Sequence, residues 1–205
     1  MMKARLTILL AVAIMASLPF AAQAQQLFDF LGQTGLPGGV GGALTLHGVV
    51  NDPAPATTPI PLDFDTYEYT LVVTGLVLDV DGNPQQYSGG AIAIYEDAAT
   101  VADFAAPGTF TDGTAVLTGV VTTLDRTMFT ATLGTVFGSV DWTGGSMVGL
   151  IGLQDLVDWP FFSGVNALAS QVAPGYDEAW DGKVEPHDPI VDNEGMGWGE
   201  LKRRF

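Results

Sequence analysis

The sequence predicts an all-β domain, an antiparallel β-sandwich or a partly open barrel, ending in a short disordered C-terminal tail. Three observations carry that prediction. Apolar and polar residues alternate with period two in runs rich in β-branched and aromatic residues. These runs are short and recur between glycine- and proline-bearing turn signals. No helical pattern alternates with them, which argues against an α/β arrangement. The 26 glycines of the 205-residue chain suit turns, bulges and close approaches.

The chain opens with Lys3 and Arg5, an apolar run from Leu6 to Met15, then Ser17, Pro19 and Ala21-Ala22-Gln23-Ala24. A charged start, an apolar middle and a small-residue cleavage site make residues 1–24 a cleavable secretory signal. The apolar run falls well short of the ~20 residues a helix needs to cross a bilayer. The product is therefore expected outside the cytoplasm: secreted, at the cell surface or in the periplasm. There is no cysteine, so neither a disulfide nor a lipid-modified cysteine can form. The domain must cohere through its core, or with help from a metal or partner. Acidic residues outnumber basic ones 23 to 7, a formal net charge of −16. Such a chain repels nucleic acid and anionic lipid. Lys202, Arg203 and Arg204 cluster at the C-terminus, which leaves Arg126 and Lys183 as the cations of the domain body.

Residues 25–42 combine Leu27-Phe28-Asp29-Phe30-Leu31 with a glycine-rich stretch and read as a flexible leader to a β-sandwich domain over 43–184. The first strand is expected at 43–50. Pro53, Pro55, Pro59 and Pro61 then forbid a helix or a central strand. A long strand is expected over 66–80, with Tyr67, Tyr69, Leu71 and Val73 on one face. Asp81-Gly82-Asn83-Pro84 is a strong turn signal, and the strand pattern resumes at 87–95. Further strands are expected over 114–123, 127–137 and 146–153; only 150–157 and 165–172 have helical flavour. Residues 185–205 are a proline-punctuated linker and a short tail.

Thr70-Leu71-Val72-Val73-Thr74-Gly75 echoes Thr114-Ala115-Val116-Leu117-Thr118-Gly119, and each is followed later by Gly-Gly, at Gly89-Gly90 and Gly144-Gly145. That pattern fits either two related β-units or chance among strands built from Val, Thr and Gly. The stretches Glu68-Tyr69-Thr70, Tyr87-Ser88-Gly89-Gly90, Ile94-Tyr95-Glu96-Asp97, Phe110-Thr111-Asp112-Gly113 and Gly175-Tyr176-Asp177-Glu178-Ala179-Trp180-Asp181-Gly182-Lys183 resemble, in this order, a group of uncharacterised exported bacterial β-proteins. The resemblance covers most of the mature chain and implies a secreted or surface β-domain with no known activity.

The chemistry-bearing residues allow several roles. Asp79, Asp81 and Asn83 alternate as the start of a calcium loop does, but an EF-hand needs Gly where Pro84 stands and Glu where Gly90 stands. A hairpin turn is the simpler reading. Glu96, Asp97, Asp103 and Asp112, or Asp177, Glu178 and Asp181, could instead converge on a Ca²⁺ ion that links strands. An enzyme has less support: His47 and His187 are the only histidines, and neither G-x-S-x-G nor H-E-x-x-H occurs. Trp142, Trp159 and Trp180 could stack on sugars in a carbohydrate-binding module or a glycan-active enzyme, with core packing the commoner use of such residues. A small outer-membrane barrel is a further alternative, though Lys202, Arg203 and Arg204 sit badly in a last membrane strand. Trp198, Leu201 and Phe205 fall on one side of a short helix and are candidates for docking on a sorting, anchoring or cell-surface protein partner. The expected role is that of a non-catalytic structural or binding domain.

Overall fold

The computed structural model describes residues 28–51 and 60–186. Every regular element in them, apart from short 3-10 turns, is a strand: β1 (Phe28–Gly35), β2 (Ala43–Asn51), β3 (Glu68–Val80), β4 (Gln85–Ser88), β5 (Gly90–Asp97), β6 (Thr114–Met128), β7 (Leu133–Gly144), β8 (Trp159–Asn166) and β9 (Glu178–Val184). All pairings between them are antiparallel, and the nine strands form one sheet whose neighbours close into a ring. The ring runs β1-β2-β3-β5-β6-β7-β8-β9 and returns to β1, giving a closed eight-strand barrel. The extra strand β4 lies end to end with β5 between β3 and β6, with Gly89 at positive φ between them.

Period-two patterning decides which face turns inward. Phe28, Phe30, Leu44, Leu46, Tyr69, Leu71, Val73, Ile92, Ile94, Val121, Val136, Val140, Phe161 and Val165 are buried together in one core. A barrel of eight strands is just wide enough for its own side chains to fill. Large inward residues therefore need small ones opposite them. Gly182 pairs with Phe30 across the β1–β9 seam, and a Cβ there would lie 2.8 Å from the Phe30 ring. At the end of the barrel where β7 stops and β8 begins, Trp142, Trp159 and Ile151 are buried, and Met147, Val148 and Leu156 pack onto the core.

The all-β expectation holds, and β3, β5 and the start of β6 lie where period two puts them. Four expectations differ. Within 25–42, read as a leader, Phe28–Gly35 is a strand that seals the ring, because Phe28 and Phe30 both point into the core. The stretch 127–137 is interrupted: β6 runs on to Met128, a turn follows in which Phe129 and Thr130 donate to the Leu133 carbonyl, and β7 begins. Residues 146–153 form 3-10 turns in place of a strand. The helical flavour at 165–172 gives way to the end of β8 and a loop. The two Gly-Gly pairs sit in different surroundings: positive φ falls on Gly89, inside a strand line, and on Gly145, at a strand end, so the duplication is not supported. The signal at 1–24, the prolines at 53, 55 and 59, His187 and the tail residues Trp198, Leu201 and Phe205 lie outside the described residues.

Candidate functional site

Inside the barrel, one polar cluster interrupts the apolar packing. Arg126 on β6 grips Glu178 on β9 with two hydrogen bonds: Nε donates to Oε2 at 2.9 Å, and Nη2 donates to Oε1. Trp180 Nε1 donates to the same Oε2 at 3.0 Å, and Arg126 Nη1 donates to Gln85 Oε1 at 2.8 Å. The Tyr87 hydroxyl also donates to Gln85 Oε1, at 2.9 Å. Burial, only partly offset by the Arg126 charge, pushes the Tyr87 phenol up to about 12, so it stays a neutral donor. Glu178 is 1% exposed and Arg126 8%. The carboxylate and the guanidinium therefore satisfy each other in the core, as buried charges must.

The outer wall of β1, β9, β8 and β7 carries a groove of about 630 Å³. Register explains its shape. Gly164 on β8 faces outward between Thr135 on β7 and Asp181 on β9, and Asp181 in turn pairs with Leu31 on β1. A missing side chain in the middle of that row leaves a depression. A Cβ at Gly164 would meet only the Asp181 carbonyl oxygen, at 3.7 Å. On one side, Phe137 and Phe162 form an outward cross-strand pair with ring centroids 4.9 Å apart. Toward the other side, Leu133, Asn166, Ala179 and Gln33 form the next row, and Phe104, Phe129 and Gln171 overhang it from loops.

Those loops are fixed by specific contacts. Gln33 Nε2 donates to the Gln171 carbonyl at 3.2 Å and Gln33 Oε1 accepts from the Ala173 amide at 2.9 Å. Asn166 Oδ1 accepts from the Leu168 amide at 2.9 Å. Phe104 packs against Phe110 and Tyr176, and Phe110 is buried on the outside of β3, where its carbonyl accepts from Thr70 Oγ1 at 2.7 Å. His47 touches both Phe110 and Tyr176, with Nδ1 3.2 Å from the Tyr176 hydroxyl. Burial holds the His47 pKa below the usual histidine value. Asp181 is exposed, and its carboxylate meets no protein donor among the described residues.

The residues singled out as metal ligands spend their oxygens locally. Asp79 accepts from Ser88 and Asp81 from Gln85, within the hairpin. Asn83 exchanges two hydrogen bonds with the Met128 backbone. Glu96 accepts from the Tyr69 hydroxyl, Asp97 from the Ala99 and Thr100 amides, and Asp103 from the Ala105 amide. Asp112 lies near Asp97, whose pKa is lowered chiefly by the hydrogen bond it accepts from the Ala99 amide. Asp177 accepts from the Leu36 amide. Among the described residues, no three His, Asp or Glu side chains are grouped to hold an ion. The three tryptophans proposed as sugar platforms are core residues: Trp142, Trp159 and Trp180 are 2%, 1% and 1% exposed. Their alternation places them on the inner face; among the described residues the exposed aromatic rings are those of Phe129 and Phe137, and Phe104 and Phe162 are half-buried beside them. Period two applied to β7 and β8 would have found Phe137 and Phe162; Gly164 and Asp181 become neighbours only through the register.

Comparison with protein families, with curated proteins and with solved structures finds no match to the chain.

Proposed function

We propose that the chain is an exported, non-catalytic binding domain whose closed barrel is a rigid scaffold and whose outer groove receives a segment of a glycan. The observation that carries this reading is the lining of the groove. Phe104, Phe129, Leu133, Asn166, Gln171 and Asp181 line one concave surface. Sugars offer apolar ring faces and a rim of hydroxyls, and aromatic rings with amide and carboxylate groups match both. Ligand sites pair an apolar lining with a few placed polar groups in this way. The interior is filled by side chains, which supports binding outside the barrel. One continuous ladder of strands supports a barrel over two packed sheets.

Export rests on the 1–24 signal, and the absence of cysteine is compatible with it. Outward positions carry Asp29, Asp125, Asp141, Asp181 and Lys183, while the inner face is apolar apart from a few paired or small polar residues such as Arg126, Glu178 and Ser163. A membrane-spanning barrel has the reverse polarity, so this pattern supports a barrel surrounded by water. Pull-down on a panel of insoluble polysaccharides tests the binding reading, with Gly164→Trp as the groove-filling control. Retention by at least one glycan that the variant loses is the expected result. Failure of the whole panel, or equal retention of the variant, would overturn it.

A further inference from the structure

We infer that the groove prefers a glycan bearing protonated amino groups, and that Asp181 sets the preference. The inference rests on the glycan reading above and deepens it. Asp181 is the one ionisable residue lining the groove. It is exposed and stands beside the gap left by Gly164, where its neighbours across the ladder, Gly164 and Leu31, bring no charge. A carboxylate that meets no protein donor, next to space one residue wide, is arranged to receive a donor from outside.

The surrounding charges point the same way. The described residues contain two cations, Arg126 and Lys183. Arg126 is consumed inside the barrel by Glu178. Lys183, outward on β9, is paired with Glu185. No free cation therefore opposes Asp181 on this wall among the described residues, and the chain as a whole carries −16. A potential of one sign raises the local concentration of oppositely charged ligands and repels like-charged ones. Uronic acid and sulfated polymers are disfavoured, neutral glycans gain from Asp181 only a hydrogen bond from a hydroxyl, and glucosamine-type polymers gain the stronger bond from a charged amine. The adjoining row supplies Leu133, and the loop above it Phe129, for the sugar ring face.

The test is binding, by calorimetry at low and at moderate salt, of a glucosamine oligomer, its fully N-acetylated counterpart and oligolysine. The proteins are the wild type, Asp181→Asn and Gly164→Trp, with circular dichroism to confirm folding; both substitutions are at outward positions. We expect tightest binding of the free-amine oligomer, weakened by salt. Asp181→Asn should lower that affinity about tenfold while leaving the acetylated oligomer unchanged, a single charge-assisted contact being of that order. Gly164→Trp should abolish both. Equal affinity for the two oligomers together with an inert Asp181→Asn would overturn the amine preference and leave the glycan reading standing. Oligolysine binding as tightly as the sugar amine would also overturn the inference, by showing general cation attraction. No binding of either oligomer by the wild type, or binding unaffected by Gly164→Trp, would overturn the inference and count against the groove itself.

Discussion

Replacing Arg126 with methionine should destabilise the barrel more than any surface change of similar size. The substitution keeps most of the apolar volume but removes three hydrogen bonds, two to Glu178 and one to Gln85. Glu178, 1% exposed, would keep Trp180 Nε1 as its side-chain donor. Breaking a buried pair by removing one partner costs roughly 3–5 kcal/mol, because the remaining charge is uncompensated. For a domain of this size, each kcal/mol moves the melting temperature by about 2–4 °C, so a fall of about 6–20 °C follows. Against a total stability of about 5–15 kcal/mol, the loss is a large fraction. Urea unfolding followed by tryptophan fluorescence, with Trp180 beside the site, measures it. Glu178→Gln in the Arg126→Met background should recover part of the loss, since a neutral amide still accepts from Trp180. The double-mutant cycle should give a coupling of about 2–3 kcal/mol. A single-variant loss below about 1 kcal/mol, or additive effects, would refute the claim that the pair is interlocked in the core.

Three other outcomes are expected. Gly182→Ala should cost about 2–3 kcal/mol, because its Cβ would strike Phe30, Ser163 and the Phe162 carbonyl, whereas Gly164→Ala should stay within about 0.5 kcal/mol; urea midpoints compare them, and equal costs would contradict the assigned faces. The folded His47 binds its proton less readily than the unfolded chain does, so its contribution is complete above the ordinary histidine value of about 6.5 and declines as pH falls below it. Melting temperatures from pH 7 to 5 should fall less in His47→Gln than in the wild type; parallel curves would show that His47 plays no part. Millimolar calcium should leave the melting temperature within about one degree, because Asp79, Asp81, Asn83 and Asp103 are engaged by protein groups, and a rise reversed by chelator would restore a metal role.

What could be read from the sequence was what is local. Strands β3, β5 and the first part of β6 announce themselves because most of their inward positions hold Leu, Val and Ile. In β1 the inward series is Phe28, Phe30, Gly32, Thr34, and a glycine and a threonine dilute the signal to that of a loop. Gly32 is needed because a Cβ there would strike the Leu46 side chain and the His47 carbonyl of β2, a demand set by strand pairing that no local pattern carries. Strand β8 hides for the opposite reason: Phe161 points in and Phe162 points out, so both faces look apolar. Strand β9 puts Glu178 on its inner face, which no pattern rule permits until Arg126, 52 residues earlier, supplies the counter-charge. The groove was illegible for a related reason, since Gly164 and Asp181 meet only through the β8–β9 register.

The segment that looked most dispensable is the one on which closure depends. Strand β1 pairs with β2 over seven positions and with β9 over seven more, from Phe28 opposite Val184 to Thr34 opposite Glu178. A chain beginning at Ala43 would lose Phe28 and Phe30, both fully buried, and each such truncation costs about 3–5 kcal/mol. It would also leave β2 and β9 as unpaired edges, the configuration that invites intermolecular pairing. The expected result is aggregation, or a broad unfolding transition in place of a cooperative one, read by light scattering and circular dichroism. Supplying residues 25–42 as a separate peptide should restore cooperative unfolding in proportion to peptide concentration, because binding to the folded state stabilises it by mass action. A monomeric, cooperatively melting chain without β1 would mean that the ring is not the unit of stability, and that eight strands are not required to hold the groove in place.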